Sequence, residues 1–116
     1  MSYFWKNMSE MKPYNAIISI GEHLRLLRDT QNLSLREVSH HTGIDTSLLG
    51  KIERDKRQPT NDQIKHLADF FNIDERLLKR QNLSDQLAYQ IIEANADIDV
   101  LRVAEQKIEY LKKKFI

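Results

Sequence analysis

Apolar residues recur along the chain at helical spacing, in short runs separated by polar residues suited to capping helices. Leu24 and Leu27 share the inner face of a helix predicted over residues 20–31, with Ser19 as its cap. A second helix is expected over 35–42, capped by Ser34, and a third over 46–54, capped by Asp45 or Thr46. Val38, Ile44, Leu49 and Ile52 lie at spacings that turn both of these toward one core. Gly43 falls where the first of the two must stop, and left-handed backbone there is cheap only for Gly or Asn. A fourth helix, 61–71, starts at Thr60, buries Ile64, Leu67, Ala68 and Phe71, and ends at Asn72. A fifth, 75–81, is capped by Asp74 and turns Leu77 and Leu78 inward.

Beyond residue 81, Ser84 is placed to cap another helix carrying Leu87, Ile91 and Ala94, which Asn95-Ala96-Asp97 interrupts. Ile98, Leu101, Ala104, Ile108, Leu111 and Phe115 then recur at steps of three and four, an amphipathic stripe. Leu87, Ala94, Leu101, Ile108 and Phe115 share one heptad position, but Glu105 and Lys112 at the companion position spoil a clean coiled-coil seam. The stripe needs a cover, either its own domain or a second subunit. At the other end, Tyr3, Phe4, Trp5 and Tyr14 show no helical periodicity, and Pro13 discourages a continuous helix. That is the pattern of a flexible arm, whose aromatics could instead dock on a partner. Three parts follow: an arm over 1–18, a helical domain over 19–81 containing a motif at 35–54, and a helical extension over 82–116.

Composition agrees with an all-α fold: 116 residues hold only three glycines and two prolines. There is no cysteine, which excludes a disulfide framework, a thiolate zinc site and a catalytic thiol. No apolar run approaches the ~20 residues of a membrane helix. No signal peptide precedes the domain, so a cytoplasmic location is expected. The net charge of +1 says little about partners. Local placement says more, because Lys51, Arg54, Lys56 and Arg57 crowd one stretch against only Glu53 and Asp55.

Two short helices joined by a Gly-bearing turn and followed by a basic loop suit presentation of a helix to the DNA major groove. With Leu49 and Ile52 inward, the third helix turns Thr46, Ser47, Gly50 and Lys51 outward, with Leu48 near the rim. These five are the candidate base contacts. Lys51 can donate to guanine O6 and N7, while Thr46 and Ser47 have short reach. Leu48 presses on a thymine methyl or packs against the neighbouring helix. Gly50 would permit close approach to the groove, at ~1 kcal/mol relative to Ala. Candidate phosphate contacts are Arg36, Arg54, Lys56 and Arg57, together with the free N–H groups around Asn61, where the charge of Asp62 competes. Glu37 and His41, beside His40, could share a helix face as metal ligands. Two candidates without a third favour a solvated or phosphate-facing histidine instead. No Gly-rich phosphate loop, nucleophile elbow or two-histidine zinc motif occurs, so neither an enzyme nor a cofactor is expected. Lys112, Lys113 and Lys114 beside Phe115 and Ile116 suggest a membrane-surface helix, but the preceding Glu105 and Glu109 favour a lysine-capped helix end.

Residues 20–78 resemble the phage-repressor, Cro-type helix-turn-helix family, also called the xenobiotic-response-element family. The resemblance rests on Leu33-Ser34, Glu37, Gly43, Leu49, Ile52-Glu53, Lys56-Arg57 and Pro59. Leu35 departs from a common Gln, Ser39 from a small Ala, and Asp55 from a turn Gly. The resemblance implies a five-helix, lambda-repressor-like domain in which Arg28 and Glu53 form a buried ion pair tying the first helix to the third. It also implies a sequence-specific transcriptional regulator of double-stranded DNA that leans toward repression. Homodimers match palindromic operators in this motif class, which favours a second subunit as the cover of the stripe, through Ile98, Leu101, Ile108, Leu111 and Phe115. Thirty-odd C-terminal residues leave no room for a small-molecule domain. The competing expectation is an antitoxin-like interaction module whose C-terminal helices bind a different protein.

Overall fold

A computed structural model describes residues 17–115, and among them all regular structure is helical. The arm expected over 1–18 lies outside the described residues, save Ile17 and Ile18. Polar side chains set where each helix starts. In α1 (Ile20–Thr30) the Ser19 hydroxyl accepts the Glu22 N–H. In α2 (Leu35–Thr42) Ser34 and Glu37 form a reciprocal capping box, with bonds of 3.0 and 2.9 Å. The Asp45 carboxylate accepts the Ser47 and Leu48 N–H groups that open α3 (Thr46–Glu53). Thr60 and Gln63 form a second capping box for α4 (Asn61–Phe71). Asp74 accepts the Arg76 N–H at the start of α5 (Glu75–Glu93), and Asp97 that of Asp99 at the start of α6 (Asp99–Phe115).

The helix ends follow from the scarcity of glycine. Gly43, at φ 76°, ends α2, and no atom lies near enough to meet a Cβ there, so backbone conformation alone asks for glycine. At four other ends the left-handed residue is Asn32, Asp55, Asn72 or Asn95, with φ between 51° and 61°. After each, the next N–H reaches back to close the turn: Leu33 to the Arg28 carbonyl, Lys56 to Lys51, Ile73 to Ala68 and Ala96 to Ile91. This is the Schellman arrangement, made with the residues that tolerate left-handed backbone second best.

The described residues up to Asp85 form one compact unit, and those from Gln86 onward form a second. In the first unit Leu24, Leu27, Leu49, Ile52, Ile64, Leu67 and Leu78 are almost wholly buried. The helix expected to end at Gln81 does not end there, and the division expected between 81 and 82 falls inside α5. The side chains at these positions have partners that hold the helix in place. Gln81 Oε1 accepts from Nδ1 of the His23 ring (2.6 Å), its amide nitrogen donates to the Ile18 carbonyl, and Asn82 donates to the Pro59 carbonyl. Ser84 is therefore no cap; its hydroxyl bonds back to the Gln81 carbonyl in mid-helix. In the second unit, the end of α5 turns through Asn95 into α6, in which no residue is buried. Among the described residues no helix is long and apolar enough to cross a membrane.

One polar contact of the first unit carries a pH prediction. The Ile20 N–H donates to the Asp85 carboxylate at 2.8 Å. Burial pushes the Asp85 carboxyl up, with help from the charges of Asp55 and Glu22, and the Ile20 N–H only partly offsets this. A carboxyl raised in the folded state contributes stability that is complete below its unfolded value. That stability is lost as pH rises through the folded value. Asp85→Asn keeps an acceptor for Ile20 and removes the charge. It should gain on the wild type in urea midpoint as pH is raised from mildly acidic to neutral. A gap between the two proteins that stays constant with pH would refute this.

Candidate nucleic-acid interface

Two contacts hold α3 from below. The Arg28 guanidinium donates to both carboxylate oxygens of Glu53, at 2.7 and 2.9 Å, and to the Leu33 carbonyl at 2.9 Å. Both side chains are largely buried, and the bidentate hydrogen bonds hold the guanidinium firmly in its charged form. The second contact is a close backbone approach. α1 begins against the end of α3, and a Cβ on Gly21 would collide with the Ile52 carbonyl. It would also lie 2.5 Å from Asp55 Oδ1 and 2.9 Å from the Glu53 carbonyl. Beside this crossing the Ser19 hydroxyl donates to Asp55 Oδ2 at 2.9 Å. Asp55 thus replaces a turn glycine with a residue that both adopts left-handed backbone and bonds α1.

The loop after α3 is held at both ends. Asp55 ties its start to Ser19, and Asn82 ties the buried Pro59 near its finish. Between them Lys56 and Arg57 are exposed, and the Lys56 N–H donates to the Lys51 carbonyl at 2.8 Å. That bond sets the basic loop directly against the last turn of α3. Thr46, Ser47 and Lys51 are exposed on the outer side of α3, and Arg36 and Asn61 are exposed in the first turns of α2 and α4. The capping boxes use the third N–H of α2 and α4, so the N–H groups of Asn61 and Asp62 are not taken by the cap.

Two expectations about α3 need correction. Gly50 is buried rather than turned outward. A Cβ there would lie 3.2 Å from the end of the Arg54 guanidinium and at an ordinary 3.7 Å from Leu35 Cδ1, the two side chains that cover this position. Covered in this way it presents no outward face, and the adjacent Arg54 is exposed. Leu48 is half-buried and packs against the core, so the packing reading accounts for it. The side chains that α3 does turn outward are those of Thr46, Ser47 and Lys51. The His41 ring stacks on Phe70, with ring centres 5.2 Å apart, and His40 meets His41 edge-on. Among the described residues no group of three His, Cys, Asp or Glu side chains could hold a metal ion.

Sequence reasoning missed Gly21, the Ser19–Asp55 bond and the Asn82 clasp. The substitution of Asp55 for the family's glycine was the one visible signal, because a charged residue at a tight turn invites a partner. The interface thus combines an exposed, partly basic helix face, a basic loop anchored at both ends and two exposed helix starts nearby in sequence. A family model for a helix-turn-helix domain matches residues 21–84. No curated protein and no solved structure matches the chain.

Proposed function

The chain belongs to the helix-turn-helix domain family, and from that premise we propose that it is a cytoplasmic, sequence-specific repressor of transcription that binds a palindromic operator as a homodimer. Each α3 enters one half-site, with centres about one helical turn apart. The observation that carries this reading is the union of the exposed Thr46, Ser47 and Lys51 with the exposed Lys56–Arg57 loop, which the Lys56 N–H to Lys51 carbonyl bond draws together. Thr46, Ser47 and Lys51 read base edges. Arg36, Arg54, Lys56, Arg57 and the free N–H groups at Asn61 hold phosphates and fix the register. Occupation of a promoter then obstructs RNA polymerase, and the dimerisation equilibrium controls the response without a small-molecule ligand, a cofactor or enzymatic chemistry.

Lys51→Ala should weaken specific binding by ~1–3 kcal/mol and relax discrimination at one base position. Lys56→Ala and Arg57→Ala should weaken specific and random duplexes alike and lower the slope of log affinity against log salt by ~1 each. Titrations of each variant with operator and random DNA at several salt concentrations separate the two classes. Equal losses on both duplexes for Lys51→Ala would reassign it to phosphate.

The second reading is an antitoxin-like module whose C-terminal helices bind a different protein. It is favoured by the exposure of Leu101, Ile108, Leu111 and Phe115 in the single chain. A stable homodimer that covers these residues would exclude it.

A further inference from the structure

Among the described residues of α6 none is buried, and Phe115 at its end is 74% exposed. Along one edge of its apolar face stand Glu105 and Lys112, seven residues apart and opposite in sign. Two helical turns return a residue to nearly the same side of the helix, so both charges border the stripe formed by Leu101, Ile108 and Phe115. As a coiled-coil seam this pair is a defect. As half of a symmetric contact it is a match.

We propose that α6 pairs antiparallel with α6 of a second copy of this chain, each copy setting Glu105 against the other's Lys112. In a two-fold contact, whatever residue i meets at j is repeated with j meeting i. An axis passing midway between residues 105 and 112 crosses the helix beside Ile108. It brings Leu101 of each copy toward Phe115 of the other, so the apolar stripe covers itself in the same register that satisfies the charges. Edge charges of this kind set helix orientation and partner choice. A parallel pair would instead align Lys112, Lys113 and Lys114 of one copy beside the same run of the other, which like-charge repulsion opposes. The charge pattern on this edge is complementary to itself, so a second copy of the chain satisfies it without any further partner. This inference rests on the homodimer in the function proposed above and specifies how it forms.

Charge exchange in the full chain tests it by sedimentation equilibrium. Glu105→Lys and Lys112→Glu should each weaken the dimer about tenfold, since each creates two like-charge contacts across the axis. The double variant Glu105→Lys/Lys112→Glu should restore wild-type dimerisation, because the exchanged charges again meet opposites. A double variant no tighter than the singles, or singles as tight as wild type, would overturn the pairing. The chain has no cysteine, so introduced thiols report without background. Oxidation of a one-to-one mixture of Leu101→Cys and Phe115→Cys should yield the mixed disulfide. Disulfides formed only between identical variants would show a parallel pair and overturn the proposal. DNA binding is read separately on the same samples. A monomer that still selects an operator overturns the pairing and leaves DNA recognition standing, whereas a charge-restored dimer with no DNA preference supports the pairing and removes the operator.

Discussion

Glu53→Ala should destabilise the first unit by about 3–5 kcal/mol, a large share of the 5–15 kcal/mol typical of a small domain. The loss comes less from the missing attraction than from what remains. Arg28 keeps a guanidinium that is largely buried, has lost both hydrogen bonds to Glu53 and retains only the longer, exposed Asp29 contact at 3.7 Å, and the charge cannot be shed at ordinary pH. Arg28 also donates to the Leu33 carbonyl, so any shift toward solvent disturbs the turn that ends α1. Urea unfolding of the wild type, Glu53→Ala and a double variant Arg28→Met/Glu53→Leu measures this. The double variant should recover much of the loss, because no unpaired charge is left inside. It should fall short of wild type, because the Leu33 carbonyl loses a donor. A cost for Glu53→Ala below ~1 kcal/mol, the range of exposed pairs, would show that the ion pair does not hold α3 in place.

Gly21→Ala is the second large effect, and its sign runs against helix propensity. In an exposed helix interior the change would stabilise by roughly 0.8–1.0 kcal/mol. Here the added methyl meets the carbonyls of Ile52 and Glu53 and the carboxylate of Asp55, at the crossing of α1 over the end of α3. Backbone cannot step aside as a flexible side chain can, so α1 must lift, with an expected cost of about 2–3 kcal/mol. Lifting also strains the Ser19–Asp55 bond that anchors the basic loop. Gly50→Ala is the matched control. Its new methyl meets only the end of the exposed Arg54 side chain and ordinary contact with Leu35, so that variant should be neutral or slightly stabilised. Thermal unfolding of the two variants side by side decides the matter, and Gly21→Ala as stable as Gly50→Ala would contradict the close crossing.

The starts of α1, α2 and α4 were legible because Ser19, Ser34 and Thr60 act locally, each on the N–H group three residues away. The same locality made Asn72 readable as an end. Ser84 misled for the same reason. A serine caps or bonds back to its own helix with similar ease, and distant partners at Ile18, His23, Pro59 and Ile20 decide that α5 continues. Gly50 misled because helical periodicity assigns a direction to each position but does not show that Leu35 folds over a residue with no side chain of its own. Gly21 was silent, since its neighbours lie some thirty residues further along the chain. The exposed face of α3 was readable as a pattern. Its support, from Arg28 through Asp55 to Asn82, joins residues far apart in the chain that only the fold brings into one frame, although the Arg28–Glu53 pairing was implied by family resemblance.

Selection of bound duplexes from a random DNA library, with the mass of the complex read on the winning sequence, tests the central claim most directly. The proposed function predicts enrichment of a palindrome, with half-sites about one helical turn apart and two chains bound. No enrichment by the purified chain under low-salt conditions that permit DNA binding would contradict it.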